Sequence, residues 1–259
     1  MKCLMLAAGL GRRLYGDENK ELPKALLEFD GKTLLHRHIN TLLELGMTEL
    51  TIVVGHGKDA LKTEAFAAAP EGFIKTIFNP RYTESPMISL WAARDVLRSG
   101  SDILFMDADV LYHPELLQRL IYSRYENCFL LDRNFEDGED PVKVCIRNSI
   151  PVDFGKKVNE PFDVVGEWPG FMRMTPDIAD KVASRTEGYL VKEPVNPMYE
   201  EAIRDIVRSE PLGTFGSEDI TGIPWIEIDF PEDLIKAKHI ILPKLGSLDD
   251  KKILKAVPG

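Results

Sequence analysis

Up to residue 132 the chain repeats one unit. A short apolar run ends in a glycine-bearing or polar turn, and a segment with apolar residues at helical spacing follows. "KCLMLAA" (2–8), "ELTIVVG" (49–55), "FIKTIF" (73–78), "DILFMDAD" (102–109) and "NCFLLD" (127–132) are the apolar runs. Near-continuous apolarity over so few residues predicts strands buried on both faces. Between them, "TLLHRHINTLLELG" (33–46) carries Leu35, Ile39, Leu42 and Leu43 on one helical face, with Thr33 placed to cap it and Gly46 to stop it. "KDALKTEAFAAA" (58–69), "SLWAARDVLRSG" (89–100) and "PELLQRLIYS" (114–123) complete the set of helices. Strict alternation of this kind predicts an α/β fold, a doubly wound, mainly parallel Rossmann-like sheet. Ligands of such sheets sit beyond the carboxyl ends of the strands. Residues 9–13, 79–89 and 107–109 therefore hold the chemistry.

The second half is more elaborate. "RNFEDGEDP" (133–141) reads as an acidic, turn-rich loop, and "VKVCI" with "PVDFGKK" (151–157) as hairpin strands. "GEWPGFMRMT" (166–175) mixes glycine, proline and aromatics; helices follow near 176–187 and 198–209, a strand at 225–229 and a helix at 231–242. The expected organisation is one domain over 1–242, divided near residue 132, with 243–259 as a tail. "HIILPKL" near the end offers either a contact surface for a homo-oligomer or a packed helix.

Charge and cysteine content narrow the function classes. A net charge of -10 repels polyanions, so neither nucleic acid nor an anionic membrane is an expected partner. Cys3, Cys128 and Cys145 show no metal-site or disulfide spacing, and the five histidines form no HExxH pair. A metal would have to be held by carboxylates. The apolar start is short and broken by "RR", unlike a signal peptide, and no run is long enough to span a bilayer. A cytoplasmic location is the expectation.

Three stretches carry candidate chemistry. In "LAAGLGRRL" two glycines after a strand let backbone N–H groups turn inward, which favours anions. The stretch is neither a P-loop nor the three-glycine dinucleotide fingerprint, and its force comes from Arg12 and Arg13 together with Lys24 in "LPKALLEF". Solvated loop cations are the alternative. Arg13 and Lys24 meet only if the segment containing Gly16, Asp17, Asn19 and Pro23 folds back. In "FMDADV", Asp107 and Asp109 end a buried strand, where a hard cation such as Mg²⁺ would find oxygen ligands. Capping of the next helix is the other use for Asp107. In "WIEIDFPEDL", Glu227 and Asp229 also end a strand before a proline-started helix. The two acidic pairs either share one metal or start two unrelated helices.

Taken together, "LAAGLGRRL…PKALLEFDGKTLLHRHI", "MDADVLYHPELL", "PVDFGKK", "GEWPGFMRM" and "IEIDFPEDL" closely resemble the nucleotidyltransferases that activate sugars and phosphoalcohols. The likeness runs in the family's order over about residues 1–240 and is nearest to cytidylyltransferases acting on phosphocholine or phosphonates. It implies a nucleotide-binding half (1–132) and an acceptor-binding half (133–242). It further implies that Leu6, Ala7, Ala8, Gly9, Gly11, Arg12 and Arg13 hold the nucleoside triphosphate, with Ser85, Met87 and Ser89 around the base. Lys24 would bridge to the acceptor's phosphate. Asp109 and Asp229 would hold Mg²⁺, with Asp107 and Glu227 assisting. Lys156, or its neighbour Lys157, would meet the acceptor phosphate, and Glu167 and Trp168 would shape the acceptor pocket, with Phe171 either beside them or in the core. The implied reaction is transfer of CMP from CTP to phosphocholine, 2-aminoethylphosphonate or a similar acceptor, with release of pyrophosphate. The alternatives are a sugar-1-phosphate nucleotidyltransferase using UTP, dTTP or GTP, a glycosyltransferase with an Asp-x-Asp metal site, and a non-catalytic sensor.

Overall fold

The structure is a computed structural model that describes residues 1–16, 22–191 and 195–245. Asp17 and Asn19, expected in the fold-back segment, lie outside the described residues, as does the tail beyond residue 245. A seven-stranded sheet forms the centre, in the order Gly216–Asp219, Cys128–Leu131, Phe171–Met174, Ile103–Asp107, Lys2–Ala7, Leu50–Val54 and Ile74–Phe78. All its pairings are parallel except those of Phe171–Met174, which runs antiparallel to both neighbours. The doubly wound, mainly parallel expectation holds.

Alternating side chains explain why helices cover both faces. Cys3, Met5, Ile52 and Met106 point to one side and pack with Leu35, Ile39 and Leu42 of helix Leu34–Glu44. Leu4, Val53, Phe105 and Met172 point to the other and pack with Ile178, Val182 and Ile203 from helices Pro176–Leu190 and Tyr199–Ser209. Thr33 caps the first of these helices by accepting from His36 N at 2.9 Å, and Gly46 leaves it at φ 75°.

Several elements differ from expectation. The helix predicted at 89–100 starts earlier, at Pro86, and breaks at Ala93 into Pro86–Ala92 and Arg94–Leu97. Its true start is fixed by Ser85, whose Oγ accepts from Met87 N at 3.1 Å. Lys143–Arg147, Ile150–Gly155 and Val164–Glu167 form a separate three-stranded antiparallel sheet. Gly216–Asp219 ("GSED") has no apolar pattern, so its place at the sheet edge is invisible in sequence. Trp225–Glu227 joins Val110–Tyr112 in a two-stranded antiparallel pair outside the main sheet. Of the "HIILPKL" stretch, Ile241, Leu242 and Leu245 are partly buried against Leu14, Phe29, Leu111 and Ile228, while Ile240 is 50% exposed. Among the described residues, the three cysteines are free and buried, and no helix is long and apolar enough to cross a membrane.

Candidate active site

The small antiparallel pair does the decisive work at the sheet's carboxyl edge. Strand Ile103–Asp107 ends at Asp107, and the chain bends through Ala108 and Asp109 before Val110–Tyr112. Glu227 pairs with Val110 in register, and Ile228 N donates to Asp109 O at 2.9 Å. Residues more than a hundred positions apart thus become neighbours. One carboxylate oxygen each from Asp109, Glu227 and Asp229 lie within 4.8 Å of one another. Beneath the bend, His38 is fully buried between Tyr112 Oη (3.1 Å) and Ala108 O (3.3 Å), and burial lowers its pKa to about 4, so it stays neutral.

Two cations from the start of the chain reach this cluster. Lys24 Nζ donates to Asp109 Oδ2 at 3.0 Å and to Asp229 Oδ1 at 2.5 Å. Arg13 lies 2.7 Å from Asp229 Oδ2 and 3.1 Å from Asp140 Oδ1, with its guanidinium over the Phe230 ring. Burial alone would lower the Lys24 pKa, but Asp109 and Asp229 outweigh it and raise it, keeping the ammonium charged. Burial, then the Asp109 charge, pushes Asp107 well up; the Tyr199 hydroxyl, 2.5 Å from its Oδ2, pulls the other way. Glu227 is pushed up by burial and by Asp109, Asp229 and Asp107, with Lys24 opposing. Asp229 is itself held by the turn behind it, where Asp233 Oδ2 accepts from Asp229 N (3.0 Å) and Phe230 N (2.8 Å).

A cleft of about 180 Å³ opens onto the cluster. Of the residues singled out in sequence, Leu6, Ala8, Gly9, Arg13, Ser89, Asp107, Asp109, Lys156, Trp168, Glu227 and Asp229 line it. A smaller adjoining pocket of about 90 Å³ adds Ala7, Gly11 and Lys24. Gly11 adopts φ +66° at the start of the short helix Arg12–Tyr15, a conformation costly for any side chain. Lys156 faces inward, 3.5 Å from Asp140, while Lys157 is exposed. Asp107 does not cap the following helix: that helix, Glu115–Ile121, starts at Pro114, and the Asp107 carboxylate accepts from Tyr199.

Other residues singled out in sequence lie outside the cleft. Arg12 is exposed and lines neither pocket, because the helical turn after Gly11 points consecutive arginines in different directions. Ser85 spends its hydroxyl as a helix cap and as a donor to Pro197 O, and Met87 is buried against Val195 and Ala202. Glu167 does not line this cleft; it lines a neighbouring groove with Asp132, Trp225 and Asp233 that shares Asp140, Glu227 and Asp229 with the cleft, and burial and Asp132 raise its pKa to about 7. Phe171 is fully buried in the core.

The structure also brings in residues that sequence reasoning passed over. Asp140 comes from the acidic, turn-rich loop, where no residue was singled out, and it meets both Arg13 and Lys156. Tyr199 and Glu200 open helix Tyr199–Ser209 and line the cleft, as do Tyr82 and Met198. Two acids in a first helical turn look like ordinary dipole partners, so only the tertiary fold distinguishes Glu200 from Glu201. Gly170 has φ +86°, and a Cβ there would lie 2.8 Å from Asp107 Oδ2, so this position must stay bare. The three-oxygen donor set at Asp109, Glu227 and Asp229, gathered where Lys24 already supplies positive charge, fits a hard divalent cation.

Comparison with known proteins identifies the family and the fold. The model of the MobA-like NTP transferase domain matches residues 3–150. The chain is 24% identical over 254 residues to CTP:phosphoglutamine cytidylyltransferase of Campylobacter jejuni, covering 90% of this chain and 98% of the relative. It is 27% identical over 250 residues to choline-phosphate cytidylyltransferase of Streptococcus pneumoniae, covering 93% and 98%. In fold it is similar to the inositol-1-phosphate CTP transferase of T. maritima, with a TM-score of 0.75 at 19% identity, over 100% of this chain and 98% of that one. With its Gly-rich loop, basic residues and acidic strand ends on one sheet edge, the chain belongs to the MobA-like NTP transferase family of nucleotidyltransferases.

Proposed function

We propose that this enzyme is a Mg²⁺-dependent cytidylyltransferase that transfers CMP from CTP to a small phosphoalcohol or phosphonate and releases pyrophosphate. The observation that carries the reading is the convergence of Arg13 and Lys24 with Asp109, Glu227 and Asp229 at the mouth of one cleft. CTP is put first because cytidylyltransferases for phosphoglutamine and choline phosphate are similar to the chain over nearly its whole length. A UTP–glucose-1-phosphate uridylyltransferase of Haloferax volcanii is similar over 92% of it at 27% identity, which makes UTP with a sugar phosphate the competing pair. The enzyme is expected to work in the cytoplasm, with the nucleotide on the 1–132 half and the acceptor on the 133–242 half.

In this reading an acceptor phosphate or phosphonate oxygen attacks the α-phosphorus of CTP in line. The new P–O bond forms as the bond to the β-phosphate oxygen breaks, and its electron pair leaves on pyrophosphate. An acceptor phosphate is largely dianionic at neutral pH, its second pKa lying near ~6, so no general base is required. The obstacle is repulsion between two anions. Gly9 and Gly11 leave room for phosphate against the backbone, and Arg13 neutralises the triphosphate. Lys24 moves from its carboxylate partners to the phosphates, and Lys156 orients the acceptor. Asp109, Asp229 and Glu227 would hold Mg²⁺, which when bound supplies charge neutralisation at the α-phosphate. Leu6, Ala7, Ala8 and Ser89 flank the nucleotide, Trp168 walls the acceptor side, and Asp107 positions the neighbouring groups through Tyr199.

The test is a matrix of CTP, UTP, dTTP and GTP against choline phosphate, 2-aminoethylphosphonate, glucose 1-phosphate and inositol 1-phosphate, read as pyrophosphate release. Turnover confined to CTP with a non-sugar acceptor is expected. Preference for UTP, dTTP or GTP with a sugar phosphate would replace this reading by the sugar nucleotidyltransferase one. No pyrophosphate from any combination would refute nucleotidyl transfer to these acceptor classes.

A further inference from the structure

Glu200 is the second residue of helix Tyr199–Ser209 and is only 7% exposed. Its Oε2 is buried and has no hydrogen-bond partner among the described residues, yet the residue lines the same cleft as Lys156, Asp109 and Asp229. A buried carboxylate oxygen left this way costs free energy unless a ligand completes it. The cations nearest in charge terms do not complete it: Lys156 pairs with Asp140, and Arg13 with Asp140 and Asp229. Burial accordingly pushes the Glu200 pKa up when nothing is bound. Tyr82, Trp168 and Tyr199 line the same cleft, and aromatic faces attract ammonium groups.

We infer that the acceptor carries a positively charged nitrogen and that Glu200 is the residue that selects it. This rests on the transfer reading above and deepens it. The acceptor would lie with its phosphate or phosphonate towards Lys156 and its ammonium towards Glu200. A sugar hydroxyl would satisfy the oxygen but leave the buried charge uncompensated, whereas a cation does both. Glu200 therefore separates charged-nitrogen acceptors from neutral ones of the same size.

The test compares wild type with Glu200→Gln on the full chain with CTP and Mg²⁺. Phosphocholine, phosphoethanolamine and 2-aminoethylphosphonate are the cationic probes. 3,3-Dimethylbutyl phosphate (the carbon analogue of phosphocholine, with a neutral head group) and glucose 1-phosphate are the probes without a cationic group. Wild type should favour at least one cationic probe over the neutral analogue, and Glu200→Gln should weaken that probe by about 10–100-fold, in acceptor KM rather than kcat. The KM for CTP should stay near wild type and the melting temperature should not fall, since the substitution keeps shape and removes a buried acid whose Oε2 has no partner among the described residues. If wild type uses neutral and cationic probes equally, or Glu200→Gln keeps the preference, the Glu200 inference fails while CMP transfer stands. If no probe is turned over, the transfer reading fails, and calorimetric binding of phosphocholine against its neutral analogue decides the inference: cation-selective binding lost in Glu200→Gln sustains it, and any other result overturns it.

Discussion

Lys24 acts as the built-in counter-ion of the acidic cluster, which makes Lys24→Met the most informative substitution. In wild type its ammonium sits 3.0 Å from Asp109 and 2.5 Å from Asp229, with Lys24 and Asp229 side chains each 13% exposed and Asp109 24%. Removing one partner of a buried pair costs about 3–5 kcal/mol. Here Arg13 still reaches Asp229 and Asp109 is partly solvated, so the lower figure is discounted to about 2–3 kcal/mol. For a chain of this size that is a fall in Tm of roughly 4–12 °C. The measurement is thermal melting at low ionic strength, first with EDTA and then across a Mg²⁺ or Mn²⁺ titration. A divalent cation should rescue the variant more than it stabilises wild type, because in wild type it must displace the ammonium. A variant melting within about 1 °C of wild type, or an equal response of both proteins to metal, would refute the idea that Lys24 and metal compete for the same carboxylates.

Three further outcomes follow from the same geometry. Asp109→Asn should remove at least about 2–3 kcal/mol of transition-state stabilisation in pyrophosphate-release assays; a rate within about threefold of wild type at saturating Mg²⁺ would count against its role. Lys156→Ala should raise the acceptor KM more than that for CTP, and a reversed order would remove it from the acceptor side. Glu167 has a folded pKa of about 7 against an ordinary 4.5, raised by burial and Asp132. A raised carboxyl pKa favours folding at low pH and loses that contribution as pH rises through about 7, so Glu167→Gln should gain stability over wild type from about pH 4.5 upward and level off above about 7. Melting curves at pH 4.5, 6 and 8 that show no such growing difference would place Glu167 in a wetter setting than the groove described.

The fold was legible because strand burial writes itself into sequence. "KCLMLAA", "ELTIVVG" and "DILFMDAD" are apolar on both faces, and Thr33 and Gly46 mark a helix's ends with their own local chemistry. The candidate site was legible where a residue's type and its strand-end position agree, as at Gly9, Arg13, Asp109 and Asp229. Which neighbour lines the cleft was not legible where direction mattered: Arg13 and not Arg12, Trp168 and not Glu167, Ser89 and not Ser85 or Met87. Neighbours in sequence share a spacing but not a face.

By itself, then, the sequence determined most of the strands and helices up to residue 132 and which loops fall at the sheet's carboxyl edge. Only the tertiary structure decided which polar groups meet. The pairing of Trp225–Glu227 with Val110–Tyr112 brings two acidic pairs together, and the Tyr199–Ser209 helix carries Glu200 to the cleft with one oxygen that has no partner among the described residues. The physical reason is range: helix and strand formation depend on residues a few positions apart, whereas charge pairing and burial depend on distance through space, which chain separation does not encode.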